Sequence, residues 1–190
     1  MNRSINHLGQ PIGFAVAHWT PRCQPPRITM EGHFCRVVPL DMERHAANLY
    51  QAFSEDMEGR MWTYLASGPF ANLQDCHADA HVAQGRLVFS RNSRHEDGSA
   101  IGLSSYLRVE PEAGSIEVGA LIYSPRLHRT SAGTEAMYLM MRRVSEELGY
   151  HRYEWKCNAL NEASMRAAKR LGFSVPRYLP AGRCREGAQP

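Results

Sequence analysis

The chain has 190 residues, 43% of them hydrophobic and 22% charged, with a formal net charge of +3. That length suits one domain able to bury its own core, and the composition is that of an ordinary soluble globular protein. The basic residues are scattered rather than gathered in a stripe, and no apolar run reaches the ~18–20 residues of a bilayer span, so neither nucleic acid nor a membrane is an expected partner.

Residues 1–27 hold Pro11, Pro21, Pro25 and Pro26 among several glycines. They read as an extended arm, too polar for a secretory signal. From Ile28 to Val38 β-branched and aromatic residues collect, and Pro39 closes a first strand. Asp41 is placed to cap a helix running to about Phe53, with Leu49 and Tyr50 toward the core. Glu55 to Phe70 is irregular and aromatic, and a second helix is predicted over Leu73 to Gln84. Strands follow at Arg86–Ser90, Ala100–Val109 and Ser115–Tyr123, the first two separated by turn-rich residues. A helix from Gly133 to Leu148 carries Ala136, Leu139, Met140, Val144 and Leu148 at helical spacing and stops at Gly149. Tyr153, Trp155 and Cys157 alternate with Glu154 and Lys156, the pattern of a half-buried strand. A last helix is predicted from Asn161 to Leu171, ended by Gly172. Antiparallel strands followed by strand-helix-strand-helix predict an α+β fold around a mixed sheet.

The cysteines Cys23, Cys35, Cys76, Cys157 and Cys184 are odd in number and contain no C-x-x-C pair. They fit reduced thiols and a cytoplasmic protein better than a disulfide framework. His77 and His81 share a helix face at metal-ligand spacing, but no third ligand is evident, so a solvated face is the expectation and no metal is predicted.

The segment with chemical content is the strand ending at Tyr123, the loop Arg126 to Ala132 and the helix after it. A helix N-terminus offers unpaired N–H groups and the positive end of the macrodipole, and both attract anions. Arg129 adds a positive charge, and the small residues Ser131, Ala132 and Gly133 would let a phosphate approach the backbone. His128 reads equally as a phosphate ligand or a surface loop residue.

Three runs carry a resemblance: Glu117-Val118-Gly119, Leu121-Ile122-Tyr123-Ser124-Pro125, and Arg129-Thr130-Ser131-Ala132-Gly133-Thr134-Glu135-Ala136. With Asn161-Glu162-Ala163-Ser164 and Arg170-Leu171-Gly172-Phe173 they are similar to the acetyl-CoA motifs of GNAT N-acetyltransferases. Glu154-Trp155-Lys156-Cys157-Asn158 and Trp62-Thr63-Tyr64-Leu65 look like the branch of ribosomal-protein N-terminal acetyltransferases. The likeness covers roughly residues 28–173.

The resemblance implies a mixed, mostly antiparallel central sheet flanked by helices. It also implies transfer of an acetyl group from acetyl-CoA, without a metal, to a primary amine on a protein N-terminus or a small molecule. A CoA-binding module or inactive remnant is the alternative, and a homodimer stays open. Pantetheine contacts fall on Leu121, Ile122 and Tyr123. The pyrophosphate loop falls on Arg129, Thr130, Ser131, Ala132, Gly133 and Thr134, and Asn161 is a further coenzyme contact. The family pattern Q/R-x-x-G-x-G/A reads His128, Ser131, Gly133, so two of its three positions differ. Glu117 stands where the family has its base. Ala168 occupies the position of the usual acid tyrosine, which leaves Ser164 as the substitute.

Bland readings stand beside these. Glu117 can be a solvent-facing or salt-bridged strand carboxylate, and Asn161 with Ser164 can be a helix cap. Trp62, Tyr64 and Phe70 are core first and pocket second. After Phe173 the resemblance stops. Residues 174–190 lack the alternating strands that the family places there, and a one-nucleotide frame shift permits a family-like ending. The expectation is therefore a frameshifted tail, with the C-terminal strands missing or altered.

Overall fold

A computed structural model of the chain describes residues 4–13, 18–78, 86–91 and 99–174. The arm opens with a small hairpin, β1 (Ser4–Ile5) against β2 (Pro11–Ile12). The Asn6 side chain makes that turn by accepting the N–H groups of Leu8 and Gln10, both at 3.0 Å. Further on, the Trp19 indole donates to the Glu112 carbonyl at 2.9 Å, and Arg22 lies 4.3 Å from the Trp19 ring.

The predicted strand at 28–38 is instead a hairpin, β3 (Met30–Glu31) and β4 (Cys35–Pro39). Helix α1 (Met42–Phe53) follows with Asp41 as its cap, accepting Arg44 N–H at 3.3 Å, as the sequence predicts. A short 3-10 turn at Arg60–Trp62 and helix α2 (Leu73–Ala78) come next. The predicted continuation of α2 to Gln84 lies outside the described residues.

Strands β5 (Arg86–Arg91), β6 (Ala100–Glu110) and β7 (Ser115–Tyr123) match their predicted spans to within a residue. Helix α3 (Ser131–Arg142) runs on through a wider π turn, Arg143–Glu147. It starts two residues before the predicted Gly133, because the Thr130 hydroxyl accepts Gly133 N–H at 3.0 Å and so caps it. Strand β8 (Arg152–Trp155) and helix α4 (Glu162–Arg170) complete the described fold.

The sheet order is β3-β4-β5-β6-β7-β8, antiparallel throughout except for the parallel β7–β8 pair. On one face Val37, Phe89 and Val118 pack with Ala136, Met137 and Met140 of α3. On the other Val88, Leu103 and Ile122 pack with Leu49 and Phe53 of α1. Burial of these side chains supplies the main driving force, about 1.5–3 kcal/mol for each large one. Trp62 belongs to this second core, edge-on to Phe53 and Phe70 at 5.4 and 5.2 Å. Phe173 packs on Tyr153 and Trp155, with ring centroids 5.5 and 5.4 Å away. The C-terminal strands expected to be missing or altered would fall after it, in 175–190, outside the described residues.

Candidate active site

The site is made by the way β7 leaves its neighbours. Its pairing with β8 ends at Val118↔Trp155, although β7 runs on to Tyr123. An extra β7 residue opposite β6, at Ala120 and Leu121, adds a bulge, and Ala120 adopts a left-handed φ of 50°. The strands therefore fork. Beyond Val118 the β8-facing edge of β7 has no strand partner among the described residues, and its N–H and C=O groups open into a cleft of about 1360 Å³.

Leu121, Ile122, Tyr123, Arg129, Thr130, Ser131, Gly133, Thr134, Asn161 and Ser164 all line that cleft. Ala132 does not. It is 5% exposed, and its side chain turns from the first turn of α3 into the core, leaving its backbone N–H at the helix start. The N–H groups of Arg129, Thr130, Ser131 and Ala132 have no acceptor among the described residues, which leaves the helix start open to an anion. Gly133 is needed for packing: a Cβ there would lie 2.6 Å from the Leu127 carbonyl and 3.1 Å from the Tyr123 ring. The Tyr123 hydroxyl donates to the Gly133 carbonyl at 2.9 Å, which locks strand to helix, and burial pushes its pKa up.

Two arginines flank these amides. Arg129 takes a left-handed φ of 58° at the loop's end. Arg170 reaches over from α4 and donates to the Thr134 hydroxyl at 3.1 Å. Neither has a carboxylate partner among the described ion pairs. His128 lines the cleft with its ring stacked 6.3 Å from Tyr123, and desolvation lowers its pKa, so the ring is neutral near pH 7. Asn161 caps α4, accepting Ser164 N–H at 3.0 Å. The Ser164 oxygen accepts the Trp155 indole N–H at 2.9 Å, which leaves the hydroxyl proton free to point elsewhere.

Glu117 sits just below the fork and behind the wall. Its side chain is 4% exposed and ion-paired with Lys156 at 2.9 Å and with Arg108. Arg108 is itself an extra β6 residue with a φ of 43°, and that bulge aims its guanidinium at Glu117. Lys156 also bonds Glu154 at 2.6 Å, and the hydrogen bonds to Glu154 and Glu117 raise its pKa. Tyr64, apart from its core neighbours Trp62 and Phe70, lines the cleft and donates to the Leu160 carbonyl at 3.1 Å, bridging two walls.

The Acetyltransferase (GNAT) domain matches residues 36–174. The chain belongs to the GNAT acetyltransferase family. Its fold matches that of a GCN5-related N-acetyltransferase from Brucella melitensis at a TM-score of 0.75 and 34% identity, covering 83% of this chain and 72% of that one. A GNAT-family protein from Chromobacterium violaceum gives a TM-score of 0.75 at 33% identity, covering 86% and 82%. The microcin C7 self-immunity acetyltransferase MccE, solved with acetyl-CoA and AMP, shares the fold alone, at a TM-score of 0.61 and 13% identity over 75% and 80%. No curated protein matches the sequence. As a GNAT domain the chain is an acetyltransferase, in the α+β fold that the sequence predicts.

Sequence reasoning did not find Arg170, Arg108 or Glu135 as site elements. Glu135 lies inside the motif run, yet its carboxylate turns away from the loop. It accepts the N–H groups of His33, Phe34 and Cys35 at 2.8, 2.6 and 2.9 Å. His77 is exposed, His81 lies outside the described residues, and no group of metal ligands occurs among the described residues. No helix among them is long and apolar enough to cross a membrane.

Proposed function

We propose that the cleft binds acetyl-CoA and delivers its acetyl group to a primary amine. The observation that carries this reading is the continuous polar track from the unpaired β7 edge to the open amides of α3, flanked by Arg129 and Arg170. An extended pantetheine amide chain complements the edge at Leu121 to Tyr123, and a pyrophosphate complements the helix start. The acetyl-CoA held by the fold neighbour MccE supports the same reading.

In the transfer, the amine lone pair attacks the thioester carbon, the C–N bond forms, the C–S bond breaks, and the sulfur leaves as thiolate. Glu117 takes the amine proton through water, since its carboxylate lies behind Lys156 rather than on the cleft wall. Ser164 gives its proton to the thiolate and regains one from solvent, the Trp155 indole holding its oxygen in place. Both roles require side chains positioned by their neighbours, and proximity of amine and thioester supplies much of the rate. A CoA-binding module without turnover is the second reading, favoured by the ion pairs on Glu117 and by Ala168 at the place of the family's acid.

Acetyl-CoA is expected to raise the melting temperature, and an amine panel to release CoA thiol, with Glu117→Gln suppressing release. Stabilisation without thiol release from any amine overturns transfer and leaves the binding module. The branch assignment to the ribosomal-protein N-terminal acetyltransferases, the cytoplasmic location and the frameshift after about Phe173 rest on the sequence. Reading the gene tests the last of these, and a shifted frame lacking a family-like ending sinks it.

A further inference from the structure

The cleft has an unequal stock of charge. Among the described residues its lining cations are Arg129, Lys156, Arg170 and Arg166, the last paired with the exposed Glu162 at 2.9 Å, and its one lining carboxylate is Glu135. That carboxylate is held by the backbone N–H groups of the His33–Cys35 turn, and so faces away from any ligand. Around the fork the ledger is similar. Glu117 and Glu154 are met by Lys156, Arg108 and Arg152, so three cations answer two carboxylates. Met61, Tyr64, Leu65 and Ser67 also line the cleft, and their side chains are apolar or neutral.

A polyamine or aminoglycoside brings further ammonium groups beside the one that reacts. Each is best met by a carboxylate once desolvated, and the one lining carboxylate among the described residues, Glu135, is already taken up by the His33–Cys35 turn. A like charge brought against Lys156 is repelled instead. We propose that the acceptor is a monoamine on an uncharged or acidic body, and that Lys156, standing over Glu117 and Glu154, enforces this choice. A carboxylate on the acceptor meets the solvent side of the Lys156 ammonium, which is half exposed at 54%. The reaction is unchanged: the amine becomes an amide, its proton leaves through water and Glu117 to solvent, and the CoA thiolate takes the Ser164 proton. This inference rests on the amine-transfer reading above.

The test is a set of kcat/KM values from CoA thiol release on the full chain. The probes are hexylamine, the dipeptide Gly-Asp and a Ser-Asp-Glu-Gly tetrapeptide on one side. Spermidine, kanamycin and a Ser-Arg-Lys-Gly tetrapeptide stand on the other, so small molecules and peptides appear in both arms. The uncharged and acidic probes are expected to lead by about tenfold or more, the effect of one partly screened charge. Lys156→Gln is expected to shrink the ratio of Gly-Asp to spermidine by about tenfold, and Lys156→Arg to restore it. The ratio cancels any loss of folded protein or of a catalytic step shared by all acceptors. A lead for the polycations, or a ratio unmoved by Lys156→Gln, overturns the proposal. Thiol release from polycations leaves amine transfer standing, whereas no release from any probe alongside stabilisation by acetyl-CoA refutes the transfer reading itself.

Discussion

Replacing Glu135 tests how the start of α3 is held. Its carboxylate accepts N–H groups from His33, Phe34 and Cys35, tying the start of α3 to the β3–β4 turn. Charge-assisted hydrogen bonds contribute about 1.5–3 kcal/mol each when nothing replaces them. His33 and Phe34 are exposed, so water takes over their N–H groups in a Glu135→Ala variant. Cys35 is fully buried, so its N–H is left unmet. The expected loss is therefore about one charged bond plus a remainder, roughly 2–3 kcal/mol by urea denaturation at neutral pH. Burial raises the Glu135 pKa, but the three backbone bonds outweigh it and hold the carboxyl below its ordinary value of 4.5. A depressed carboxylate contributes stability above that ordinary value and loses it as the pH falls through the folded-state value. The gap between wild type and Glu135→Gln should accordingly be full at neutral pH and narrow below about pH 4.5. A loss under about 0.5 kcal/mol, or a gap that does not change with pH, would refute the tether.

Two further outcomes probe the same end of the cleft. Gly133→Ala drives a Cβ to 2.6 Å from the Leu127 carbonyl, so it should destabilise the protein by about 1–3 kcal/mol and weaken acetyl-CoA binding in a calorimetric titration. Arg170→Gln removes a cation from beside the Thr134 hydroxyl. It should weaken acetyl-CoA about tenfold at low salt and flatten the salt dependence, while leaving the melting temperature of the free protein near its starting value.

What the sequence shows best is whatever local chemistry decides. Asp41 ahead of α1, the alternation in β8 and the apolar stripe of α3 each carry their own signal, and the elements appear where those signals lie. The hairpin at 30–39 was not legible, because the carboxylate that holds its turn lies 100 residues from Cys35 in sequence. The position of Glu117 in a family motif points to a base, while its partners Arg108 and Lys156 arrive from β6 and from the residue after β8. Only the sheet register shows that it is buried and paired, the bland half of the reading. Ala132 carries a similar double signal: small residues suit both a phosphate cradle and close helix packing, and here the side chain packs in the core while the backbone N–H stays open.

The two bulges around Glu117 have opposite effects, and together they locate the site. At Arg108 an extra β6 residue in a left-handed conformation sends a cation onto Glu117, while Lys156 comes from the β8 side and bonds both Glu117 and Glu154. Charge thus joins the three strands just below Val118. At Ala120 an extra β7 residue, also left-handed, breaks the register above Val118. Each such non-glycine conformation costs on the order of 1–3 kcal/mol and persists only where surrounding contacts over-determine it. Here those contacts are the ion pairs below and the packing of Ile122 under α1 above. The cleft therefore begins where the charge network ends. Lys156 belongs to both, and a change there should alter acceptor choice before it alters the fold.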